Sequence, residues 1–390
     1  MRRRIEDHLL AAMLIVAGAC GFGVVSTPVM AEQVATTAPP GAKDVLREIP
    51  DNLFGIALGP HGAAVATGYH GTVKFSADGG AHWSRISAAT NGLLRRVAIT
   101  ADQSIFAVSS NGEILKQKAG QNTWQVVHSE DGLYLRDIAF ADAQTGWAVG
   151  HEGLILHTTD GGATWKRQEL KDWTGHDRPR LSGIAVIDAN RAVVVGEFGT
   201  VARTDDGGGT WSLVSANTLP TLLAVAMHGD SGFAVGINGA VVQLSHALDG
   251  PMTATAVNTG ATQHLLAVAL SDDGETALIG GRGTLRIYRD GKLTAVPIGP
   301  GTTLDDTAGR ADVGNLRLGT YLGPALADTF IAGVAVDNDG RAMAVGQGGL
   351  ILASTKISGP YEAIHSLTTM SEKYLENEAA PLFFGGWGGP

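Results

Sequence analysis

The chain has 390 residues, of which 44% are hydrophobic and 17% are charged, and it contains 54 glycines and 14 prolines. This composition indicates a compact β-protein rich in turns and argues against a disordered chain. The formal net charge is −10, and no Lys/Arg cluster occurs beyond the N-terminal segment. Nucleic acid is therefore not expected as a partner, because phosphate binding needs a concentrated basic face.

The first 31 residues are predicted to be a secretory signal rather than part of the fold. Residues 2–4 are arginines, an apolar stretch runs from Leu9 to Val25, and residues 29–31 are typical of a cleavage site. Two alternatives stay open: an uncleaved anchor, and a lipoprotein attached through Cys20. The expected location is periplasmic or secreted, and no stable membrane span is expected after cleavage.

Cysteine chemistry is not expected in the mature chain. Cys20 is the one cysteine in the sequence, and it lies inside the predicted signal. Cleavage after Ala31 leaves a chain with no disulfide, no thiolate chemistry and no cysteine-ligated metal.

A short hydrophobic phrase recurs seven times along the rest of the chain. It reads LFGIAL, LRRVAI, LRDIAF, LSGIAV, LLAVAM, LLAVAL and IAGVAV, and its shared alanines are Ala57, Ala98, Ala139, Ala185, Ala226, Ala269 and Ala335. A second apolar run ending in glycine or serine follows each phrase, then another glycine, and then a third short strand. Glycines at such spacing are typical of tight hairpin turns.

The shared alanine recurs in steps of 41 to 46 residues, with a last step of 66. A period of about 40 residues with short alternating strands is typical of a β-propeller. A helical solenoid, the alternative, needs a periodicity of about 3.6 residues that these units lack. The sequence therefore predicts an all-β fold, a seven-bladed β-propeller with four-stranded antiparallel blades.

Three repeats carry an Asp-box, the pattern S/T-x-D-x-G-x-x-W, at residues 76–83, 158–165 and 204–211. The carboxylates of this motif are expected to fold back onto the N–H groups of their own turn, and its tryptophans to pack between neighbouring sheets. These predicted structural residues are Asp78, Trp83, Asp160, Trp165, Asp206 and Trp211. They are not expected to act as catalytic acids or as a sugar-binding platform.

The seventh repeat ends after its third strand at Thr355, with no recognisable Asp-box behind it. We expect the missing outer strand to come from Asp44–Pro50, so that an N-terminal strand closes the ring and removes free sheet edges. The predicted organisation is a linker over residues 32–43, a propeller over 44–355 and a C-terminal tail over 356–390.

The repeats resemble the photosystem II stability/assembly factor family of seven-bladed propellers, within the wider group that carries BNR/Asp-box and WD40/YVTN-like repeats. The motifs LRDIAF, AVG-x-x-G and DGGATW carry this resemblance, which covers residues 44–355. It implies a chaperone or assembly factor that holds a membrane protein, partly through an arginine patch on one face. Some family members resemble accessory partners of RND-type exporters.

Arg95, Arg96 and Arg136 match the arginine patch of the family, at the start of the first strands of repeats two and three. Strand order places the hairpins between second and third strands on the same face, opposite the Asp-box turns. That face is predicted to bind a partner, because varied polar and aromatic residues on a regular frame suggest recognition. The further candidates there are Tyr69, His70, His151, Glu152, Glu197, Phe198 and Arg282.

Two long loops are expected on this same face. Lys171–Arg180 adds Trp173 and Arg178 before the fourth repeat, and an insertion of about residues 299–328 precedes the seventh. Long insertions confined to one face of a repeat protein usually mark its binding side.

The predicted function is a non-catalytic periplasmic scaffold, expected to be a monomer, that binds another envelope or membrane protein without cofactor or metal. The alternative is a sialidase-like or other glycoside hydrolase or glycan-binding propeller. Such hydrolases need an arginine cluster, a tyrosine nucleophile and a glutamate base. The tyrosines here have no distinctive glutamate partner in the sequence, and His70, His151 and His264 lack the spacing of metal ligands.

Overall fold

The computed structural model describes residues 52–215, 219–298, 302–303 and 330–365. Within these residues lie seven four-stranded antiparallel sheets, each ordered along the chain from its inner to its outer strand. The prediction of an all-β, seven-bladed propeller is confirmed. The helices of the described part are three-residue 3-10 turns, and no helix there is long and apolar enough to cross a membrane.

The strands of the seven blades have the following bounds. Blade 1 contains β1 Leu53–Leu58, β2 Ala64–Gly68, β3 Thr72–Ser76 and β4 Ser84–Ser87. Blade 2 contains β5 Leu94–Ile99, β6 Ile105–Ser109, β7 Glu113–Gln117 and β8 Trp124–Ser129. Blade 3 contains β9 Leu135–Phe140, β10 Gly146–Gly150, β11 Ile155–Thr158 and β12 Lys166–Gln168. Blade 4 contains β13 Leu181–Val186, β14 Ala192–Gly196, β15 Val201–Thr204 and β16 Ser212–Ser215.

Blade 5 contains β17 Leu222–His228, β18 Ser231–Gly236, β19 Val241–Ser245 and β20 Thr253–Val257. Blade 6 contains β21 Leu265–Leu270, β22 Ala277–Gly281, β23 Thr284–Arg289 and β24 Lys292–Ala295. A separate pair, β25 Pro297–Ile298 and β26 Thr302–Thr303, follows it. Blade 7 contains β27 Ile331–Val336, β28 Ala342–Gly346, β29 Ile351–Ser354 and β30 Glu362–His365.

The inner strands form a closed ring. Each inner strand contacts that of the next blade, and β27 of blade 7 contacts β1 of blade 1. Every seam between blades holds its own buried apolar cluster, because both faces of each sheet carry hydrophobic residues. Across the seven seams, the clusters join Val65 with Leu115, Phe106 with Leu156, Trp147 with Val194, Val195 with Val242, Val235 with Ile279, Leu278 with Leu352, and Met343 with Leu53.

The outer strand of blade 7 differs from the sequence prediction. It is β30, which follows β29 in the chain, and not Asp44–Pro50, which lies outside the described residues. Tyr361 stands seven residues after Ser354, the same spacing that separates Trp83 from Ser76. Its ring is fully buried, and its hydroxyl donates to the carbonyl oxygen of Ile357 at 2.8 Å. Blade 7 thus has a degenerate box with tyrosine in place of tryptophan, and the propeller runs past residue 355.

The Asp-box carboxylates are engaged by their own turns. Asp78 Oδ1 accepts the backbone N–H of His82 at 3.0 Å and the hydroxyl of Ser76 at 2.8 Å. Asp160 and Asp206 accept the corresponding backbone N–H four residues later, each at 2.9 Å. These hydrogen bonds stabilise the ionised form and hold the pKa of all three carboxylates below its ordinary value.

The box tryptophans pack onto the preceding blade. Trp83 lies against the blade 7 side of its seam, Trp165 against blade 2 and Trp211 against blade 3. Trp211 is 2% exposed and Trp165 9% exposed. The box residues therefore support the frame on the face opposite the β2–β3 type hairpins.

Candidate functional site

The mouth of the central channel is outlined by seven rim pairs, one from each blade. In every blade, the first residue of the hairpin between the second and third strands donates its backbone N–H to the carbonyl of the residue before the inner strand, at 2.9–3.3 Å. The pairs, with the acceptor first, are Asn52/Tyr69, Leu93/Ser110, Tyr134/His151, Arg180/Glu197, Thr221/Ile237, His264/Arg282 and Phe330/Gln347. A constant backbone contact thus presents a variable pair of side chains at each blade.

The hairpins that carry these pairs use left-handed backbone positions. In blade 1 the turn closes from Thr72 N–H to the Tyr69 carbonyl, with His70 at φ 52° and Gly71 at φ 67°. A Cβ at Gly71 would stand 2.0 Å from the carbonyl oxygen of Thr90, so glycine is required there. The residue before this glycine also has positive φ in four other blades, and in three of them it is not glycine: Glu152, Phe198 and Asn238. Bulky residues seldom adopt this conformation, and such strain is concentrated at functional sites.

Aromatic side chains surround the mouth. Tyr69, Tyr134 and Phe198 are 37%, 48% and 45% exposed, which makes them three of the five exposed large hydrophobic residues in the described part of the chain. The Phe54 ring packs against Tyr69 edge-on at 5.1 Å and against Phe330 at 5.5 Å between centroids. The mouth therefore offers apolar contact area beside its charged groups.

Each inner strand has a β-bulge at its second residue, so that this residue falls outside the regular ladder. The register shift occurs at the same place in all seven blades. The bulged residues are Phe54, Arg95, Arg136, Ser182, Leu223, Leu266 and Ala332. Because a bulge re-aims a side chain, this repeated irregularity sets which residues reach the mouth.

Arg95 and Arg136 are the two charged members of this bulged set. The Arg95 guanidinium lies 5.9 Å from the centre of the Phe54 ring, and Nε of Arg136 is buried without a hydrogen-bond partner in the described structure. Burial, followed by the charges of neighbouring arginines, lowers the pKa of Arg95 to about 9 and that of Arg136 to about 10. Within the described residues neither arginine forms an ion pair with a carboxylate.

The nearest carboxylates to these two arginines are already engaged. Glu197 pairs with Arg180, whose Nε donates to Glu197 Oε1 at 3.0 Å and whose backbone N–H donates to Oε2 at 3.0 Å. Asp137 accepts the backbone N–H groups of Ile138 at 2.9 Å and Ile184 at 3.0 Å. Within the described residues, the positive charge of Arg95 and Arg136 thus has no carboxylate partner.

Arg96 lies one level deeper than the predicted patch, on the channel axis. Its guanidinium donates to backbone carbonyls of three other blades: Phe54 at 2.7 Å, Ala332 at 3.0 Å and Leu266 at 3.3 Å. Its Nε stands 4.0 Å from Asp137 Oδ1, and these two side chains are 16% and 14% exposed. Burial raises the pKa of Asp137, and the Arg96 charge and the two backbone donors oppose that rise.

The axis position beyond the bulge explains why Arg96 fits. Its equivalents in the other blades are Gly55, Asp137, Gly183, Ala224, Ala267 and Gly333. Small residues in five blades leave the axis free, and Arg96 with Asp137 crosses that space. Arg96 therefore lies at the channel axis, below the bulged arginines Arg95 and Arg136.

The other predicted face residues lie around the same mouth. His151 stacks on Tyr134 at 4.9 Å, and Trp173 stacks on Phe198 at 6.0 Å between centroids. Arg178 passes beside Gly153, and Arg282 forms a backbone bridge with Phe330. His70 and Glu152 occupy exposed turn positions. Most of the insertion predicted at about residues 299–328 falls outside the described residues.

Sequence reasoning missed three contributors to this region: Arg180, Phe330 and Asp137. Arg180 and Phe330 occupy the position just before the inner strand, and the repeat alignment marks that position in every blade. Asp137 was also a visible signal, because five of the seven equivalent inner-strand positions hold Gly or Ala and a buried charge needs a partner.

The described mouth carries charged and aromatic side chains. In this part of the chain, no group of three or more His, Cys, Asp or Glu side chains is close enough to hold a metal ion. Tyr69 and Tyr134 contact aromatic rings at the mouth, and Tyr288 packs against Phe233. What the mouth offers is two partly buried cations, hydrogen-bond donors and exposed aromatic rings.

Comparison with known proteins gives one family and one fold. Residues 116–284 match the model of the family described as photosynthesis system II assembly factor YCF48. No curated protein matches the chain. The solved structure of YCF48 from Cyanidioschyzon merolae is similar over 80% of this chain and 98% of that chain, with a TM-score of 0.59 and 14% identity.

Two further structures share the propeller. YCF48 bound to D1 peptide aligns over 78% of this chain and 92% of that chain, with a TM-score of 0.57 and 13% identity. A catalytically inactive virginiamycin B lyase from Staphylococcus aureus with quinupristin aligns over 78% of this chain and 95% of that chain, with a TM-score of 0.59 and 13% identity. Identities this low show the fold alone. The solved structures thus show a β-propeller fold, and residues 116–284 are similar to the YCF48 assembly factor family.

Proposed function

We propose that the protein is a non-catalytic binding or assembly module whose channel mouth holds an acidic segment of another protein. The observation that carries this proposal is that Arg95 and Arg136 form no ion pair with any carboxylate in the described part of the chain. Burying a cation without a counter-charge is unfavourable, and an arginine guanidinium is well suited to bind a carboxylate through two parallel hydrogen bonds. A bound carboxylate supplies the charge that the described chain leaves out.

The aromatic rim supports the same proposal. Tyr69, Tyr134 and Phe198 expose rigid ring surface around the two arginines. Tyrosine and arginine are enriched among the residues that dominate protein–protein binding energy. A peptide segment seated here gains apolar contact with the rings while its acidic group meets the cations.

The floor of the mouth limits how a partner enters. Arg96 spans from blade 2 to carbonyls of blades 1, 6 and 7, so it occupies the channel axis below Arg95 and Arg136. A polypeptide therefore rests on the mouth and does not thread through the ring. The binding surface in this proposal is the rim, the bulged residues and the loop of residues 171–180.

The proposed partner is another envelope or membrane protein, and the proposed location is the periplasm. The predicted signal over residues 1–31 supports the location. The family match and the structure of YCF48 bound to D1 peptide support a protein ligand. Among envelope complexes, an RND-type exporter is the candidate that the family resemblance implies. Cell fractionation and mass of the mature N-terminus test the location independently of binding.

A displayed library of random peptides, sorted against the full chain, tests the proposal. The wild-type protein should enrich peptides that carry carboxylates beside apolar residues. The double variant Arg95→Leu/Arg136→Leu should lose this enrichment. Leucine occupies the equivalent bulge positions 223 and 266, so the variant borrows a side chain that the same frame accepts.

A control variant removes one arginine charge from the opposite face. Arg289→Leu changes an arginine that is 53% exposed and lies at the end of β23, beside the turn equivalent to the Asp-boxes. It should enrich the same peptides as the wild type. Equal enrichment by the wild type and the mouth variant would contradict the proposal. So would turnover of a glycoside panel that depends on the mouth residues, because that outcome favours the glycosidase alternative.

A further inference from the structure

His151 is a mouth residue whose ring has an unused buried nitrogen. The imidazole stacks on Tyr134 with centroids 4.9 Å apart and planes 22° from parallel. Its Nε2 is buried and has no hydrogen-bond partner in the described structure. The neighbouring Arg136 has a buried Nε in the same state. Two buried nitrogens without partners at one place indicate a missing acceptor, since such groups are normally hydrogen-bonded.

The charges around His151 come from four elements. Arg136 lies on its own blade, Arg95 on blade 2, Arg180 on the loop before blade 4, and Glu197 on the blade 4 hairpin. Glu197 is occupied by Arg180, so its effect on the imidazole is partly offset. Burial and then the arginine charges lower the pKa of His151 below its ordinary value. Without a bound anion, the mouth therefore favours the neutral ring.

We propose that anion binding at the mouth is coupled to protonation of His151, so that the arriving acidic group and one proton bind together. This rests on the proposed function, because it assigns a regulation to the same site. A carboxylate or sulfate oxygen seated against Arg95 and Arg136 offsets their repulsion of a third cation. It also accepts a hydrogen bond from His151 Nε2, which the protonated ring donates. The proton comes from the solvent, and no covalent bond changes.

The direction of the pH dependence follows from this linkage. A bound anion raises the pKa of His151 relative to that of the anion-free protein, since an opposite charge nearby favours the imidazolium. Binding of the anion is then accompanied by proton uptake at pH values between the anion-free and the anion-bound pKa of His151. Affinity for the anion increases as pH falls through this window, by up to about tenfold per pH unit for one linked proton. At pH values above the pKa of His151 in the anion-bound protein, and below its pKa in the anion-free protein, the affinity does not depend on this group.

The test is an NMR titration of the histidine rings of the full chain, with sodium sulfate as the anion and sodium chloride at matched ionic strength as the reference. Sulfate keeps a constant charge between about pH 5 and about pH 8, so histidine is the group that titrates there. His151→Gln identifies the ring signal. Glutamine is the residue at the equivalent hairpin position in blade 7, Gln347, so this variant is compatible with the turn.

Sulfate should raise the pKa of His151 by about one unit relative to chloride. The increase should vanish in Arg95→Leu/Arg136→Leu. His82 provides the matched control, because its ring is 92% exposed and lies in an Asp-box turn on the opposite face. His82→Gln should leave the response of His151 unchanged.

The contrary outcomes separate the two proposals. If sulfate perturbs the arginine side-chain signals of the mouth but leaves the pKa of His151 unchanged, the proton linkage is wrong and the binding site stands. If sulfate perturbs neither at any pH in this range, anion binding at the mouth is wrong, and the linkage is wrong with it.

Discussion

At the scale of single residues, the propeller axis depends on one arginine and one aspartate. Arg96 satisfies backbone carbonyls of blades 1, 6 and 7, and Asp137 satisfies a backbone N–H of blade 4 through Ile184. Together they connect six of the seven blades, counting the two that carry them. Small residues at the equivalent position of the other blades make room for this crossing.

Removing either partner should destabilise the fold. Arg96→Leu leaves Asp137 without its counter-charge, and Asp137→Asn does the same to Arg96, each at a cost of about 3 kcal/mol in the free energy of unfolding. The double variant should lose clearly less free energy of unfolding than the sum of the two single losses, because it leaves no buried charge without a counter-charge. Urea denaturation measures all four members of this cycle.

Arg289→Leu serves as the control for this cycle, since that arginine is 53% exposed and should change the stability by less than about 0.5 kcal/mol. Single variants as stable as the wild type would show that Arg96 and Asp137 do not hold the axis. Simple additivity in the double variant would show that they act separately.

The sequence carried the arginine signal but not its geometry. The phrase LRRVAI shows two adjacent arginines, and period-2 alternation alone does not tell which one faces the mouth. The bulge decides this, because it takes Arg95 out of the ladder and turns Arg96 to the axis. Bulges depend on how strands meet in three dimensions, so residue patterns on one strand do not reveal them.

At the scale of elements, the Asp-box turns should set part of the acid sensitivity. Hydrogen bonds from the Thr164 hydroxyl and backbone N–H, together with the Thr158 hydroxyl, lower the pKa of Asp160 to about 2. A folded-state pKa below the unfolded value contributes stability that is present above about pH 4. That contribution is lost as pH falls through about 2.

Asp160→Asn should therefore weaken the pH dependence of unfolding between about pH 4 and about pH 2, because the group that gains a proton on unfolding is gone. Urea denaturation at a series of pH values gives this slope. Asp177→Asn is the control, since Asp177 is 83% exposed on the loop of residues 171–180. An unchanged slope in Asp160→Asn would show that the turn does not depend on the ionised carboxylate.

At the scale of the whole molecule, the ring closes by packing between blades. Blade 1 takes all four strands from the N-terminal side, and blade 7 takes all four from the C-terminal side. Their seam holds a buried cluster that includes Leu53 and Met343. Across it, Gly348 N–H donates to Asn52 Oδ1 at 2.8 Å.

Tyr361 tests whether β30 completes blade 7. The ring is fully buried against blade 6 residues, so Tyr361→Ala should lower the free energy of unfolding by about 3 kcal/mol. Tyr361→Phe keeps the ring and removes only the hydroxyl that donates to Ile357, at a cost of about 1 kcal/mol. Chemical denaturation compares the two. An alanine variant as stable as the wild type would exclude β30 from the fold.

Repeat counting was sufficient for the number of blades, the strand order and the two faces. It was not sufficient for the closing strand, because the box of blade 7 has Lys356 in place of aspartate and Tyr361 in place of tryptophan. The large aromatic residue of this box, Tyr361, still lies seven residues after Ser354, although the aspartate and the tryptophan of the motif are replaced. Packing at the seam requires a large side chain at that distance, and tyrosine meets the requirement.

The central claim is that the arginine mouth, and not the opposite face, binds a protein partner. Phe198 on the mouth rim is 45% exposed, and Leu248 in the loop between β19 and β20 on the other face is 36% exposed, which makes them a matched pair. Site-specific photocrosslinking from each position in cells that produce the protein measures contact directly. We predict one discrete protein adduct from position 198, lost in Arg95→Leu/Arg136→Leu, and none from position 248. Equal adducts from both positions, or an adduct at 198 that persists without the two arginines, would contradict the account.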